Sequence, residues 1–144
     1  LDGETRLYVL SPPPAGSPTL EGSNNISVVL LLCHGETRFL LPGDAEREAE
    51  AALVARYGDF IRCDVLKCGH HGSATSTSTA FLSAASPAHA VVSCGRLNKF
   101  NHPSSAILRR LADAGVRVHR TDVGGAVIFE SDGKNVRAYD WSKE

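Results

Sequence analysis

Short apolar runs that alternate with amphipathic segments constrain the fold of this chain more than any other feature of its sequence. Strand-like runs at residues 64–68, 88–94 and 116–120 are separated by helix-like segments at residues 79–85 and 103–114. Strands that interleave with helices in this way favour a layered α/β sheet arrangement over a β-sandwich or a helical bundle.

Strand-like runs at the two ends of the chain predict antiparallel hairpins. The polar link His34-Gly35-Glu36 joins two of these runs, and Asp132-Gly133 joins another two, which is typical of hairpin turns. A helix with acids in its first turn is predicted at residues 45–56, and Pro103 is placed at the first position of its helix. The predicted terminal strands are residues 7–10, 26–33, 37–41, 126–130 and 135–139.

The size and charge of the chain limit the classes of protein it can be. Its 144 residues suffice for one compact domain and are too few for two. The net charge is -1, with both signs interspersed, so the broad basic surface of a duplex-binding module is not expected. The longest apolar run, residues 28–33, is far below the roughly 18 to 20 residues that span a bilayer. Because the chain contains no Met and opens on Leu1, we expect it to be excised from a larger protein.

The four cysteines, Cys33, Cys63, Cys68 and Cys94, lie in apolar stretches and form no CxxC pair in the sequence. Free cysteines are usually buried as small hydrophobic side chains, and burial is the expectation here. A zinc knuckle and a disulfide are the alternatives.

Two loop sequences carry residues that suit a metal ion. Asp44 follows one predicted strand, and His70-His71 follows another between two glycines. A carboxylate just past a strand can bridge two divalent cations, and neutral imidazoles complete such a site while leaving a position for water. Asp44 could instead be the N-cap of the helix that follows it, and the two histidines could form a polar turn.

A third candidate is His102, which could act as a general acid, contact a phosphate or simply end a loop. Ser73 is not expected to be a nucleophile, because the GxSxG turn that would expose it is absent from the sequence. The other histidines, His34, His89 and His119, lie in or beside predicted strands and are interpreted as structural.

In order and spacing, these motifs resemble the C-terminal metallo-β-lactamase-like domain of the ComEC family of DNA-internalisation competence proteins. The resemblance covers nearly the whole chain, and the pairing of GDAE with LKxGHHGS is fairly specific. The matching stretches are residues 24–30, 39–46, 64–73, 95–103 and 121–126.

The resemblance implies an α/β fold that is the C-terminal half of the αββα sandwich of metallo-β-lactamases, with a mixed sheet and flanking helices. Residues 1–144 would be one partial domain of a larger membrane protein. The implied activity is that of a metal-dependent phosphodiesterase or nuclease acting on the DNA strand that is not imported. The implied partners are DNA and the transmembrane channel of the same protein, with a homodimer as a further option. The parent would lie in the cytoplasmic membrane, with this domain on the extracellular or periplasmic side.

The same resemblance implies roles for five residues of the candidate site. Asp44 would be the bridging ligand of a zinc or manganese centre, and His70 or His71 the late histidine ligand, with His70 slightly favoured. His102 and Ser73 would contact a phosphate, and His102 would also protonate the leaving oxygen.

Three polar residues, Asn25, Ser27 and Asn98, are assigned to substrate binding, and the first two are also expected to brace the site or the sheet. The sequence departs from the family pattern in two ways. Pro42 stands where a Thr usually precedes Gly-Asp, and the HxHxDH ligand motif of the first half of such domains is absent. Because one carboxylate and one or two imidazoles rarely hold a dinuclear site tightly, we expect this chain alone to bind metal weakly and to be inactive.

Two other functions fit the same sequence. Similar GD and HHGS motifs resemble those of phosphorylcholine esterases, where an aromatic cage would hold a quaternary ammonium, and Trp141 and a few Tyr and Phe could build one. Alternatively, the domain is a non-catalytic docking or gating module of the DNA channel. Four basic residues could line a phosphate-binding groove or form a solvated helix face: Arg96, Lys99, Arg109 and Arg110.

Overall fold

A computed structural model describes residues 4–14 and 20–139 of the chain. Its strands are β1 (Thr5–Ser11), β2 (Val29–His34), β3 (Thr37–Leu41), β4 (Val65–Lys67), β5 (His89–Val92), β6 (Arg117–Arg120), β7 (Ile128–Ser131) and β8 (Val136–Tyr139). Its helices are α1 (Arg47–Tyr57), α2 (Thr79–Ala85), α3 (Ser105–Asp113) and the short α4 (Thr121–Gly124). Strands β1 to β6 form one sheet in chain order, and β7 pairs with β8.

The six-stranded sheet is antiparallel at one end and parallel at the other. Strands β1, β2 and β3 pair antiparallel, so that Leu32 lies between Leu7 and Phe39. Strands β3, β4, β5 and β6 pair in parallel. The predicted α/β class with a mixed sheet and flanking helices is confirmed, and so are the two predicted hairpins, β2–β3 and β7–β8.

Three helices pack against one face of this sheet. Leu31, Leu40 and Leu66 point from that face into the core and are each 0% exposed, and full burial of such a side chain contributes about 1.5–3 kcal/mol. In the described part of the chain, no helix is both long and apolar enough to cross a membrane. The core residues from α1, α2 and α3 are Ala49, Leu53, Phe81, Leu82, Ala85, Ile107 and Leu111.

The opposite face of the sheet is covered unevenly. Phe129 of β7 packs on His89 and His119, with ring centroids 5.3 and 5.1 Å from its own. The strand register places Leu7 and Val9 of β1 on this same face, and they are 50% and 63% exposed. The β7–β8 hairpin therefore covers the parallel end, while apolar side chains at the antiparallel end face solvent.

The strand predicted from residue 26 begins three residues later than expected. Residues Ser23–Ile26 form a 3-10 turn, and β2 starts at Val29. The Asn25 side chain holds the turn, because its amide donates to the Glu21 carbonyl at 2.7 Å and its oxygen accepts the Glu46 N–H at 3.1 Å. These bonds override the β preference of the apolar residue at the end of the turn.

One prediction about a helix start is wrong, and the alternative N-cap role of Asp44 is not observed. Helix α1 has Glu46 at its N-cap position, so Asp44 lies two residues earlier and does not cap it. Helix α3 has Ser104 as its N-cap, and the Ser104 Oγ accepts the Ile107 N–H at 3.3 Å. Pro103 therefore precedes the cap instead of opening the helix, because a serine hydroxyl supplies the acceptor that the first turn needs.

All four cysteines have free thiols. Cys63 and Cys68 are buried, as predicted, and burial raises the pKa of each thiol to about 12. Cys33 and Cys94 are only partly buried. The two buried cysteines therefore pack as small apolar side chains and stay protonated at neutral pH.

Candidate metal centre

The loops that follow β3 and β4 meet at one edge of the sheet. Asp44 lies in the first loop, and His70 and His71 lie in the second. Neighbouring parallel strands have their carboxyl ends at the same edge, where loops commonly build sites. The His70 N–H donates to the Gly43 carbonyl at 3.0 Å and ties the two loops together. The structure thus brings the predicted carboxylate close to the predicted histidines.

The histidine loop has an unusual backbone, because both histidines adopt the left-handed conformation. The angle φ is 44° at His70 and 54° at His71, a region that residues other than glycine seldom occupy. A Cβ at Gly69 would lie 3.0 Å from a backbone oxygen of the Asp44 loop, and one at Gly72 would lie 2.9 Å from a carbon of Pro103. The glycines therefore let this loop pack tightly between its neighbours.

His71 directs one ring nitrogen at Asp44. Its Nδ1 lies 2.7 Å from the Ser93 carbonyl oxygen, which can only accept, so Nδ1 carries the proton and Nε2 has a lone pair in the neutral ring. That Nε2 lies 3.6 Å from the Asp44 Oδ1, beyond the length of a good hydrogen bond. Two ligand atoms on a tetrahedral zinc ion are roughly 3.4 Å apart, given bonds of about 2.1 Å. The two acceptors are thus spaced to share a cation.

His70 points to a different carboxylate. Its Nδ1 lies 3.1 Å from the Glu46 Oε1, and the Glu46 carboxylate also accepts from Thr75 Oγ1 at 2.8 Å and Asn24 Nδ2 at 3.4 Å. The hydrogen bond from Thr75 lowers the pKa of Glu46, despite some opposing desolvation. A charged carboxylate that holds one imidazole nitrogen orients the ring and leaves the other nitrogen available to a ligand.

Glu50 stabilises the loop that follows the histidines from inside the protein. Its side chain is 0% exposed, and its carboxylate accepts the backbone N–H groups of Thr77 and, at 2.8 Å, of Ser78. Burial raises the pKa of Glu50, while these hydrogen bonds oppose the rise. Sequence analysis missed this role, although the position of Glu50 three residues before the buried Leu53 places it on the inner face of α1.

Lys67, at the end of β4, adds a positive charge close to Asp44. Its Nζ donates to the Cys68 carbonyl at 3.2 Å. Burial lowers the pKa of Lys67, and the Asp44 carboxylate opposes the change. The negative charge of Asp44 is therefore partly balanced before any cation binds, an electrostatic interaction that sequence analysis also missed.

His102 completes the group of imidazoles. Its ring centroid lies 5.8 Å from that of His70, and within the described residues its buried Nδ1 has no hydrogen-bond partner. Burial lowers the pKa of His102, and the charges of His70 and His71 lower it further. Asn98, predicted to bind substrate, accepts the His102 N–H at 2.9 Å and donates to the His102 carbonyl at 2.7 Å. Its amide is thus engaged in holding the His102 loop.

Ser27 and Ser73, two other predicted site residues, are tied into the surrounding loops. The Ser27 Oγ accepts the Asp44 N–H at 3.2 Å, so Ser27 braces the loop of the candidate ligand, as Asn25 braces Glu46. The Ser73 side chain is 8% exposed and its Oγ lies 2.9 Å from the Thr75 Oγ1. The structure therefore gives the Ser73 hydroxyl a partner inside its own loop.

The remaining histidines lie away from this group. His89 Nδ1 lies 3.0 Å from His119 Nε2 beneath Phe129, and His34 Nδ1 lies 2.9 Å from the Thr5 Oγ1. Each of these rings thus has a polar partner on another strand. The sequence gave no sign that His89 on β5 would lie beside His119 on β6.

The described residues supply only part of the donor set that a metal ion requires. Among the described residues, no three His, Cys, Asp or Glu side chains converge on one point that could hold a metal ion. Asp44 and His71 supply one carboxylate oxygen and one imidazole nitrogen, which suit zinc and manganese. The pair therefore fits two positions of a metal centre, with the others left to further donors.

The chain is similar to segments of three longer proteins, one of which is named a competence protein. It is 42% identical over 106 residues to Competence protein ComA of Neisseria gonorrhoeae, over 74% of this chain and 15% of that protein. It is 36% identical over 126 residues to ComE operon protein 3 of Bacillus subtilis, over 88% of this chain and 16% of that protein. It is 39% identical over 104 residues to Recombination protein 2 of Haemophilus influenzae, over 72% of this chain and 13% of that protein.

These similarities support a relationship to a competence-protein family, as the sequence motifs predicted. The matched regions span between 13% and 16% of the lengths of these relatives. No family model matches the chain.

Proposed function

We propose that this chain contributes Asp44 and His71 to the metal centre of a metallo-β-lactamase-like phosphodiesterase that acts on DNA during uptake. The observation that carries the proposal is the approach of His71 Nε2, which has a lone pair in the neutral ring, to the Asp44 Oδ1 at 3.6 Å. Two acceptors at this distance repel each other unless a cation or a proton lies between them. A divalent cation satisfies both at ordinary ligand distances.

The residues around this pair have separate tasks in the proposed reaction. A bound metal ion would activate water for attack on phosphorus and stabilise the developing negative charge. Asp44 and His71 would hold that ion, while Glu46 orients His70 beside them. The geometry thus favours His71 over His70 as the partner of Asp44, in contrast to the slight preference drawn from the sequence.

His102 is proposed to contact the phosphate. Its ring centroid lies 5.8 Å from that of His70, which places the imidazole at the border of the site. The pKa of His102 is lowered by burial, which favours the neutral ring. A bound phosphate diester opposes that shift, because its negative charge stabilises the imidazolium. Substrate would thereby prepare His102 to donate a proton to the leaving oxygen.

The proposed αββα sandwich is supported by the exposed sheet face. Leu7 and Val9 are 50% and 63% exposed on this face, and apolar side chains grouped on one exposed surface often mark an interface. We propose that a second sheet of the same polypeptide covers this face and brings the remaining metal ligands. A second copy of the chain would be the alternative cover.

The relatives named as competence proteins suggest the setting of this chemistry. We infer that the parent protein lies in the cytoplasmic membrane and that this segment acts on its extracellular or periplasmic side. DNA and the transmembrane channel would be its partners. A non-catalytic docking or gating role would also use the exposed sheet face, but it gives no reason for the Asp44–His71 geometry.

An esterase for phosphorylcholine is less well supported. Tyr8 and Tyr57 pack around Phe60, with ring centroids 5.2 and 6.4 Å from it, and these rings belong to β1, α1 and the turn after α1. Phe100 lies beside His102, and Trp141 is outside the described residues. A single aromatic ring does not make a cage for a quaternary ammonium.

The test is a cleavage assay on the native polypeptide that carries this segment. Single- and double-stranded DNA are incubated with manganese or zinc and either the unchanged protein or its Asp44→Ala variant. Metal-dependent cleavage that disappears in the variant supports the proposal. An unchanged protein that cleaves no DNA with either metal contradicts it and favours the docking role. His89→Gln serves as a control that should leave cleavage intact.

A further inference from the structure

The loop at residues 95–102 exposes an aromatic ring beside the candidate metal centre. Phe100 is 66% exposed and Leu97 is 97% exposed. Large apolar side chains are costly to leave in water, so an exposed pair in one short loop invites a binding role. Two basic residues of the same loop, Arg96 and Lys99, give it a local positive charge.

Hydrogen bonds fix the shape of this loop. The Asn98 amide donates to the Gly95 carbonyl at 2.9 Å and to the His102 carbonyl at 2.7 Å, and its oxygen accepts the His102 N–H. The Asn101 N–H also donates to the Asn98 carbonyl at 3.3 Å. One side chain thus closes the loop at both ends, and the exposed ring is displayed from a preformed turn.

The exposed ring of Phe100 is connected to the candidate site through His102. Phe100 stacks on His102 with an interplanar angle of 20° and a centroid distance of 5.9 Å, and His102 is the ring that contacts His70. The Lys99 Nζ lies 5.1 Å from the Phe100 centroid. The contacts therefore run from Lys99 to Phe100, then to His102, and then to His70 in the candidate site.

We propose that Phe100 is a stacking platform for one unpaired nucleobase, and that Lys99 contacts the phosphate of that nucleotide. Aromatic rings combined with nearby basic groups are how proteins hold single strands without reading their sequence. The Lys99 ammonium is exposed and can move from the ring to a phosphate as a base enters. The inference rests on the proposed function, since it adds that the DNA is held as a single strand next to the metal centre.

The test is binding of fluorescein-labelled oligothymidylate, measured by anisotropy at low salt with EDTA present. An abasic strand of the same length keeps the phosphates and removes the bases. The variants are Phe100→Ala, Phe100→Trp and, as a matched control, Phe60→Ala, since Phe60 is a 41% exposed phenylalanine in the turn after α1. EDTA removes the metal, so the result does not depend on cleavage.

We expect Phe100→Ala to weaken binding of oligothymidylate about tenfold and to leave binding of the abasic strand unchanged. Phe100→Trp should restore binding, and Phe60→Ala should bind like the unchanged protein. Equal affinity for the two strands, or equal loss in Phe100→Ala for both, overturns the proposal. If the unchanged protein binds neither strand, the proposal is also overturned, and the exposed loop is then better explained as a surface that binds another protein. Phe100-dependent binding without any cleavage by the native polypeptide would uphold the platform while contradicting the hydrolase.

Discussion

Two pairs of histidines in this protein contrast in how they are built. His70 and His71 are neighbours in sequence, yet their ring centroids are 6.4 Å apart and each bonds to a different partner. His89 and His119 are 30 residues apart in sequence, yet their ring nitrogens lie 3.0 Å from each other. The His70 and His71 rings point in different directions although they are neighbours in the chain, while the pairing of β5 with β6 brings His89 and His119 together.

The difference teaches that a histidine can bind a cation only if the ring nitrogen not used in its first hydrogen bond is left without another partner. In the His89–His119 pair one imidazole donates to the other beneath Phe129, so the pair satisfies itself. In the first pair, the carbonyl partner of His71 fixes its tautomer and turns a lone pair towards Asp44. A lone pair that faces a carboxylate is open to a cation, whereas one that accepts a hydrogen bond is not.

The largest expected effect comes from removing Glu50, which stabilises the loop that follows His70 and His71. Glu50→Ala leaves the buried N–H groups of Thr77 and Ser78 without their acceptor, which should lower the free energy of unfolding by about 3 kcal/mol. Denaturation in urea measures it. Glu48→Ala, an exposed change in the same helix, should cost about 0.5 kcal/mol or less. Equal losses in the two variants would show that Glu50 is not the support described.

Next in size is the effect of removing one member of the proposed ligand pair. His71→Ala should raise the dissociation constant for zinc at least about 100-fold, more than the loss of an outer contact does, because the cation loses a direct ligand. Calorimetric titration of the native polypeptide that carries this segment measures the change. His89→Ala should leave zinc affinity unchanged. A comparable loss of affinity in His89→Ala would show that the metal binds at the His89–His119 pair and not at Asp44 and His71.

A smaller effect is expected at the carboxylate behind His70. Glu46→Gln keeps the size of the side chain but removes the charge that orients the ring, and it should weaken zinc binding about tenfold. The same titration detects it. Glu130→Gln, an exposed change on β7, is the matched control. If Glu46→Gln binds zinc like the unchanged chain, His70 does not assist the centre.

The smallest effect concerns pH and the second pair. Burial lowers the pKa of His89 and of His119 from the ordinary value of 6.5, so below that pH the unfolded chain takes up more protons than the folded one. Their contribution to stability is complete above pH 6.5 and is lost as the pH falls below it. His119→Gln should reduce the loss of stability between pH 7.5 and pH 5, followed by urea denaturation. If His119→Gln loses stability with falling pH as steeply as the unchanged protein does, the burial of His89 and His119 is contradicted.

The elements with strong local signals were predictable from the sequence. The hairpin β2–β3, the buried strand β4 and the approach of Asp44 to the histidine loop follow from apolar runs bounded by turn residues. The start of β2 was not predictable, because the Asn25 contact that delays it joins residues 21 apart in sequence. Local preference gives way where one side chain satisfies two backbone groups.

The parts of the site that were missed depend on contacts made only in the folded chain. The buried side of α1 makes Glu50 a support for a loop 27 residues later. The pairing of β5 with β6 brings His119 beside His89. The choice between His70 and His71 required the Ser93 carbonyl, which lies 22 residues from His71 in sequence. Long-range pairing of this kind leaves no pattern in a single sequence.

The most direct test of the Asp44–His71 pair is a nuclear magnetic resonance spectrum of the imidazole nitrogens, recorded with and without traces of manganese. The structure predicts that neutral His71 carries its proton on Nδ1 and that manganese broadens the His71 signals at lower concentration than those of His89 and His119. A His71 ring protonated on Nε2 instead, or broadening that begins at His89 and His119, would contradict the account.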